Sequence, residues 1–374
     1  MDHTGEGLRS SGDYEWSTEA ILLPVAAGVA KAMQRIRIDR PGGYGALRLE
    51  QLSTPEPGPG QVRIKAQACG VNYADGIIRM GLYASAKQLH GYPITPGFEL
   101  AGEIDAVGPG VTSWRVGDRV IGLTLFNGYA SHALVEQTQV FALPANLSME
   151  QGATLPSVFL TAWFMVHQLL YPRPGDHWLV HSAAGGVGSA LLQLGKLAGC
   201  HCVGVVGAGH KVAHAQSMGA DQIIDKSTQK LWPAAQACAE QGYQAVFDAN
   251  GVSTLRASYE HLAPTGKLLI YGFHSMLPRH GRLNWLSLAW DWLRTPRFNP
   301  LNMTQSNRSV LAANLSFLQA QAPRLREGMD WLLLRFADGS LNPLPVERFP
   351  LADAALAQRR IESGQTIGKL ALIP

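Results

Sequence analysis

Between Met33 and about Pro144, apolar and polar residues alternate in short runs with a period of two. These runs read QRIRI, LRLEQL, QVRIKAQACGV, FELAGEIDAVG, RVIGL and YASHALV. Turn sequences rich in Gly and Pro separate them, as at Pro41-Gly42-Gly43 and Gly108-Pro109-Gly110. Such alternation between frequent turns is typical of antiparallel strands. The pattern therefore predicts a small, partly open β-barrel.

From Ser148 onward the apolar period lengthens, and helical stretches alternate with strands. Ser148 stands three residues before Gln151, as in a helix capping box. Strands are predicted at 177–181, 201–206, 222–224, 245–248 and 267–271, with helical patterns between them. Strands spaced by helices indicate a doubly wound parallel sheet. From about residue 306 we expect a helix, a strand near 343–349, another helix and a last strand, GKLALIP, which returns to the barrel sheet to satisfy its backbone.

The patterns divide the chain into an α/β fold of two domains and a leader. Residues 33–155 together with 306–374 are predicted to form the barrel domain, and residues 156–305 the doubly wound domain. Residues 1–32 are expected to be a flexible leader, with a helix packed on the body as the alternative. The apolar run from Ala20 to Ala30 contains Pro24 and is well short of the roughly 20 residues that cross a bilayer.

Composition narrows the class of protein. Apolar residues make up 46% of the chain and charged residues only 16%, so a sizeable core can form. A net charge of +3 gives no reason to expect a nucleic-acid partner. The four cysteines are too few and too scattered for a disulfide framework, and no secretory signal is visible. We therefore expect a cytoplasmic protein.

The strongest chemical signal lies between a predicted strand and a predicted helix, in HSAAGGVGSALLQLGKLAG. The turn reads Ala183-x-Gly185-x-x-Gly188 and includes Gly186 and Val187, with alanine in the first glycine position. Small residues let the backbone approach a pyrophosphate, and the helix N-terminus offers that anion unpaired N–H groups. The segment predicts a dinucleotide-binding loop.

The end of the next strand indicates which nicotinamide cofactor is bound. An Asp or Glu there would bind the ribose 2'-hydroxyl and repel a 2'-phosphate. The segment is instead Val206-Gly207-Ala208-Gly209-His210-Lys211, and Lys226 follows in the next crossover. NADPH is therefore favoured over NADH. The alternative is that Lys211 and Lys226 are ordinary surface charges.

Ordered motifs along residues 33–374 resemble the medium-chain dehydrogenase/reductase superfamily, in its zinc-free quinone oxidoreductase branch. They are Cys69-Gly70-Val71-Asn72-Tyr73-Ala74-Asp75, Pro96-Gly97-Phe98-Glu99, Gly117-Asp118-Arg119-Val120, Gly128-Tyr129-Ala130, Leu160-Thr161-Ala162 and the glycine turn. The stretch 306–310 after a Trp-rich helix resembles the synaptic vesicle membrane protein subgroup. The resemblance implies a GroES-like catalytic barrel, a Rossmann domain and a homodimer formed through the Rossmann domains.

Zinc-dependent relatives hold a Cys where Asn72 stands and a His where Phe98 stands. An amide and a phenyl ring cannot replace a thiolate and an imidazole as zinc ligands, so we expect no metal. The feasible chemistry is then hydride transfer from NADPH to an acceptor that is already electrophilic.

The resemblance also implies roles for single residues. Asn72 and Tyr73 border the reacting pocket, and the Asn72 amide is the candidate donor to the oxygen that gains charge; its alternative is a satisfied turn amide, and that of Tyr73 a packed aromatic. The resemblance places Tyr129 near the cofactor and Thr161 beside the nicotinamide. Gly251, Gly272 and Phe273 end strands that border the cofactor cleft.

The sequence thus predicts an NADPH-dependent reductase of the quinone or alkenal/enoyl type, acting on a small apolar electrophile. The alternative is a catalytically weak, NADP(H)-binding protein that associates with membranes. In LNWLSLAWDWLRTPRF, Leu286, Ala289, Trp290 and Leu293 share one helical stripe, with arginines at 279, 282, 294 and 297 nearby. For this stripe we rank core or dimer packing first, a substrate pocket second and membrane docking third.

Overall fold

The computed structural model describes residues 32–276 and 284–374. Almost all of the predicted leader, residues 1–31, therefore lies outside the described residues, as do Arg279 and Arg282.

A seven-stranded, mainly antiparallel sheet forms the barrel domain. Its N-terminal elements are β1 (Ala32–Arg37), β2 (Arg48–Ser53), β3 (Gln61–Val71), α1 (Tyr73–Arg79), α2 (Ala84–Leu89), β4 (Glu99–Val107), β5 (Arg119–Leu123), β6 (His132–Glu136), β7 (Val140–Ala142) and α3 (Met149–Thr154). Two strands from the end of the chain, β14 (Val346–Pro350) and β15 (Lys369–Ile373), join this sheet. The strand order is β14-β15-β3-β4-β5-β7, with β6 on β3 and with β1 and β2 as a separate hairpin. Ser148 caps α3 in a capping box with Gln151, as predicted.

A six-stranded parallel sheet forms the Rossmann domain, which confirms the doubly wound fold. Its elements are α4 (Pro156–Trp163), β8 (His177–Val180), α5 (Gly186–Leu197), β9 (His201–Val206), α6 (Val212–Ser217), β10 (Gln222–Asp225), α7 (Leu231–Cys238), β11 (Tyr243–Asp248), α8 (Leu255–Glu260), β12 (Leu262–Ile270), α9 (Trp285–Arg294), α10 (Pro300–Ser306) and β13 (Ser309–Ala312). The strand order is β10-β9-β8-β11-β12-β13. From β8, the chain adds β9 and β10 on one side of the sheet and then β11, β12 and β13 on the other. The switch point, where ligands bind in such sheets, therefore lies at β8, beside the glycine turn.

The chain then returns to the barrel through α11 (Ala322–Ala337), β14 (Val346–Pro350), α12 (Ala354–Glu362) and β15 (Lys369–Ile373). β15 pairs antiparallel with β3, with Leu370 opposite Val71, which confirms the predicted return of the last strand.

By sheet membership, the Rossmann domain extends beyond the predicted boundary at residue 306. β13 pairs in parallel with β12, where the sequence pattern predicts a helix, because its backbone groups complete the edge of the Rossmann sheet.

Candidate functional site

One large cleft runs between the carboxyl ends of the parallel strands and the barrel. Its volume is about 2290 Å³, whereas pockets for a single drug-sized ligand measure roughly 300–1,000 Å³. The cleft has room for a dinucleotide and for a second molecule beside it.

The glycine turn between β8 and α5 forms the middle of the cleft. Gly185 is the N-cap of the 12-residue helix α5, whose first N–H groups have no partner within the helix. A Cβ on Gly188 would lie 2.3 Å from the carbonyl oxygen of Ser182 and 2.8 Å from Cα of Ala183. Gly188 therefore lets α5 pack directly on the end of β8, while Gly185 and Gly186 line the cleft. A cradle of this shape fits a pyrophosphate.

Cations gather at the end of the cleft beside β9, which we call the adenosine end. Lys211 and Lys226 both line it. Burial lowers the pKa of Lys211, and the nearby charges of Lys226 and Arg360 lower it further. Mutual repulsion among cations is relieved by a bound anion, so this end suits a phosphate.

Asp225 ends the neighbouring strand β10, and one of its carboxylate oxygens is engaged by Ser227. Its Oδ1 accepts hydrogen bonds from the backbone N–H and the hydroxyl of Ser227, at 2.9 and 2.6 Å. These two bonds hold the pKa of Asp225 below its usual value. Asp225 does not line the cleft.

At the opposite end, which we call the reacting end, Asn72 belongs to a buried polar network. Its Nδ2 donates to Glu99 Oε1 at 2.8 Å, and its Oδ1 accepts from Lys369 Nζ at 2.6 Å. Lys369 also donates to Glu99 Oε1 at 3.0 Å and to the carbonyl oxygen of Val71 at 2.9 Å. Glu99 Oε2 accepts the backbone N–H of Ser157 at 2.6 Å.

Around this network the reacting end is aromatic and apolar. The ring of Tyr73 packs against that of His274 with centroids 4.1 Å apart and a tilt of 42° between the ring planes. Burial lowers the pKa of His274 to about 4, so this imidazole is neutral at physiological pH. Tyr83 packs edge-on against Phe98, and both rings line the cleft. Such walls favour an apolar ligand.

The structure brings most of the predicted site residues into one cleft. Eleven of the fourteen line it, namely Asn72, Tyr73, Thr161, Gly185, Gly186, Val187, Gly188, Lys211, Lys226, Gly272 and Phe273.

Ala183, Gly251 and Tyr129 do not line the cleft. Ala183 is fully buried beneath the glycine turn. Gly251 has φ +88°, and a Cβ there would lie 2.9 Å from the ring of Phe273, so this residue supports a cleft residue from behind. Tyr129 is fully buried and donates its hydroxyl to Asp75 Oδ2 at 2.8 Å. Tyr129 therefore does not face the cleft, because its ring packs in the barrel core.

Sequence reasoning missed Lys369, Ser157 and His274 as cleft residues, and it treated Glu99 only as part of a motif. One signal was available for Lys369. It opens the strand KLALI, which is otherwise apolar and is buried over its first four positions. A lysine in such a strand requires a buried partner.

The Trp-rich helix α9 does not pack in a core, whereas dimer packing through its stripe stays a prediction. Three residues of the proposed packing stripe are exposed, with relative exposures of 84% for Leu286, 60% for Trp290 and 62% for Leu293. The cleft is lined instead by Trp285, Leu288, Ala289 and Trp292. One face of α9 therefore lines the cleft, and another presents apolar side chains to solvent.

Within residues 32–276 and 284–374, no three His, Cys, Asp or Glu side chains are grouped so that they could hold a metal ion. Asn72 and Phe98 stand in the cleft at the two positions where zinc-dependent relatives are expected to supply ligands. An amide and a phenyl ring do not fit a catalytic zinc. No helix in the same described part of the chain is both long and apolar enough to cross a membrane.

Comparison with known proteins agrees with this architecture. Residues 58–167 match the model of the alcohol dehydrogenase GroES-like domain, and residues 218–372 match a model described as zinc-binding dehydrogenase. The rat synaptic vesicle membrane protein VAT-1 homolog is 32% identical over 335 residues, which cover 89% of this chain and 82% of the relative. The 2-haloacrylate reductase of a Burkholderia species is 29% identical over 341 residues, or 90% and 98% of the two chains.

A solved structure shows the same fold. Escherichia coli quinone oxidoreductase, crystallised as a complex with NADPH, superimposes with a TM-score of 0.79. It is 27% identical, and the match covers 91% of this chain and all of that one.

Proposed function

The chain belongs to the medium-chain dehydrogenase/reductase superfamily, and from that premise we propose that it is an NADPH-dependent oxidoreductase that works without zinc. Its acceptor is a quinone or an activated α,β-unsaturated carbonyl compound such as an enal, an enone or an enoyl thioester. The known proteins that it resembles include a quinone oxidoreductase with NADPH and a 2-haloacrylate reductase, which supports this acceptor class.

One observation carries the proposal: a single cleft joins a cation cluster, a glycine-lined helix N-terminus and an apolar chamber in that order. Lys211 and Lys226 suit a 2'-phosphate, and Gly185 and Gly186 suit the pyrophosphate. A dinucleotide held by these groups would have its nicotinamide at the reacting end. There Asn72, Tyr73 and Thr161 line the cleft.

NADPH supplies the hydride when it is bound. The residues of the chain align the acceptor, exclude water with the aromatic and apolar walls, and offer a hydrogen bond to the oxygen that gains charge. We assign this hydrogen bond to the Asn72 amide. One of its N–H groups is held firmly by Glu99, and the other meets Ser157 Oγ at the long distance of 3.4 Å. The weakly held N–H is the one available to an acceptor.

Purified protein mixed with NADPH and a panel of quinones, enals and enoyl thioesters tests the proposal. We expect loss of absorbance at the nicotinamide band that depends on the acceptor, and slower turnover with NADH. Binding of NADPH without oxidation by any acceptor in the panel would contradict the reductase function.

A second candidate function is favoured by the exposed apolar surface of α9. Leu286, Trp290 and Leu293 face solvent, and Arg294 ends the same helix. Such a surface suits a protein that binds NADP(H), turns over slowly and docks on membranes. Sedimentation with vesicles at low salt separates the two candidates, since protein that stays in the supernatant argues against docking.

We also propose a homodimer formed through the Rossmann domain. β13 is an edge strand of the described sheet, and an edge strand offers unpaired backbone groups to a partner. Light scattering coupled to size exclusion should give twice the mass of the chain, and a monomer mass over the working concentration range would refute the dimer.

A further inference from the structure

We propose that Lys369 and Glu99 are positioning residues that fix the orientation of the Asn72 amide, so that its one weakly held N–H faces the acceptor. This inference rests on the proposed function only for the identity of the acceptor. The orientation itself is a property of the network.

The donors and acceptors of Lys369 and Glu99 restrict how the Asn72 amide can be oriented. A lysine ammonium has three donors and no acceptor, and an ionised carboxylate only accepts. Asn72 Oδ1 lies 2.6 Å from Lys369 Nζ, and Asn72 Nδ2 lies 2.8 Å from Glu99 Oε1. The reversed amide would place N–H against ammonium and C=O against carboxylate. The two charged neighbours therefore permit only one orientation.

The network is also complete. Lys369 uses its three donors on Val71 O, Asn72 Oδ1 and Glu99 Oε1. Glu99 uses both oxygens, since Oε2 accepts from the backbone N–H of Ser157. Both side chains are almost fully buried, at 3% and 0% exposure. With every charged donor and acceptor engaged, neither residue is free to bind the acceptor, which separates positioning from direct catalysis.

The position of Lys369 in the fold couples this network to the cofactor turn. Gly368, the preceding residue, forms a parallel bridge with Gly185 and donates its N–H to Ala184 O at 3.0 Å. The returning strand β15 thus joins the barrel to the glycine turn at the point where Asn72 is oriented. The backbone segment 368–369 thus contacts both the glycine turn and the network that orients Asn72.

The test uses a double variant that removes the orienting charges without leaving a buried charge alone. Loss of one member of a buried pair costs about 3–5 kcal/mol and can prevent folding, whereas Lys369→Met with Glu99→Gln keeps the site neutral. We expect the double variant to fold and to lose about 10–100-fold in kcat, with NADPH affinity changed by less than about threefold. Lys369→Arg, which still only donates, should retain more activity than the double variant.

The matched control is the largely buried pair of Arg63 and Asp105 on the barrel, joined at 2.8 Å, with side-chain exposures of 7% and 17%, and away from the cleft. Arg63→Met with Asp105→Asn should leave kcat unchanged. An equal loss of kcat in this control, or a kcat within twofold of the parent protein for the Lys369/Glu99 variant, would overturn the positioning role.

A second measurement does not depend on turnover. Protein labelled with ¹⁵N on asparagine, with the Asn72 signal assigned by its loss in Asn72→Ser, reports the side-chain NH₂ directly. We expect two well-separated proton signals in the parent protein, because the two N–H groups have unlike partners, and we expect these signals to converge in the double variant. If the parent protein reduces no acceptor and the two signals still converge in the double variant, the reductase proposal fails and the positioning role stands. An unchanged pair in the double variant refutes the positioning role whatever the activity.

Discussion

The two ends of the cleft hold charge in opposite ways. At the reacting end, Lys369 and Glu99 are buried and fully paired, and their charges orient a neutral amide. At the adenosine end, Lys211 is half-buried beside Lys226 and Arg360, and its pKa is lowered first by burial and then by these cations. A network in which every charge is paired fixes the orientation of its side chains, whereas a cluster of like charges attracts a ligand of opposite charge. We infer that orientation is built into the first end and that cofactor selectivity is built into the second.

The largest expected effect comes from the turn that both ends share. Gly188→Val would press a branched side chain onto the carbonyl oxygen of Ser182, since even a Cβ at this position would lie only 2.3 Å from that atom. Backbone cannot yield as a flexible side chain does, so we expect loss of measurable NADPH binding and a drop in stability of about 1–3 kcal/mol or more. Fluorescence titration and thermal melts measure the two effects.

The matched control is Gly45→Ala, because a Cβ at Gly45 would meet nothing within 4 Å. It should change stability by less than about 0.5 kcal/mol. Normal NADPH binding by Gly188→Val would show that α5 can shift, and that close helix packing is not needed for the site.

The second prediction concerns removal of the two lysines at the adenosine end. Each charge-assisted hydrogen bond contributes about 1.5–3 kcal/mol, so Lys211→Ala with Lys226→Ala should weaken NADPH about 100-fold while NADH changes less than about twofold. Lys230→Ala, an exposed lysine of the same domain, is the control. Equal losses for the two cofactors would mean that the lysines do not meet the 2'-phosphate.

The same comparison explains what the sequence could predict. The glycine turn and Lys211 follow directly from strand ends, because a strand–turn–helix places neighbouring residues at one edge of a sheet. Lys369 is 297 positions from Asn72, and only the return of β15 to β3 brings the two together. That return can be predicted from the need for backbone pairing, but the side-chain register along it cannot.

Two differences between the sequence patterns and the structure have similar physical causes. Tyr129 follows a glycine in a family-like motif, yet its hydroxyl finds a buried carboxylate, Asp75, and not the cleft. The stripe on α9 follows helical periodicity correctly, but periodicity cannot tell whether a core lies opposite it. Leu286 and Leu293 are therefore exposed despite their spacing.

The third prediction concerns pH and the reacting end. Because burial lowers the pKa of His274 to about 4, the unfolded chain binds more protons than the folded one between that value and about 6.5. Stability should therefore be fully present above about pH 6.5 and fall by about 1 kcal/mol from this residue between pH 7 and 5.5. Denaturant melts of the protein and of His274→Gln, whose curve should be flatter, measure it. An identical pH dependence in both proteins would contradict a neutral, buried imidazole.

The smallest expected effect separates the two ends by screening. Exposed charges are screened once salt shortens the Debye length from roughly 10 Å at 0.1 M toward 3 Å at 1 M, and buried pairs are affected much less. Raising salt should therefore weaken NADPH binding at the adenosine end by roughly three- to tenfold, with little change for NADH. The turnover rate at saturating cofactor should stay constant, because the charges of Lys369 and Glu99 are already paired out of water.

Titrations of both cofactors across this salt range, with kcat measured in parallel, make the comparison. A kcat that falls with salt as steeply as NADPH affinity would show that the reacting end also depends on exposed charge, and that the contrast between the ends is wrong.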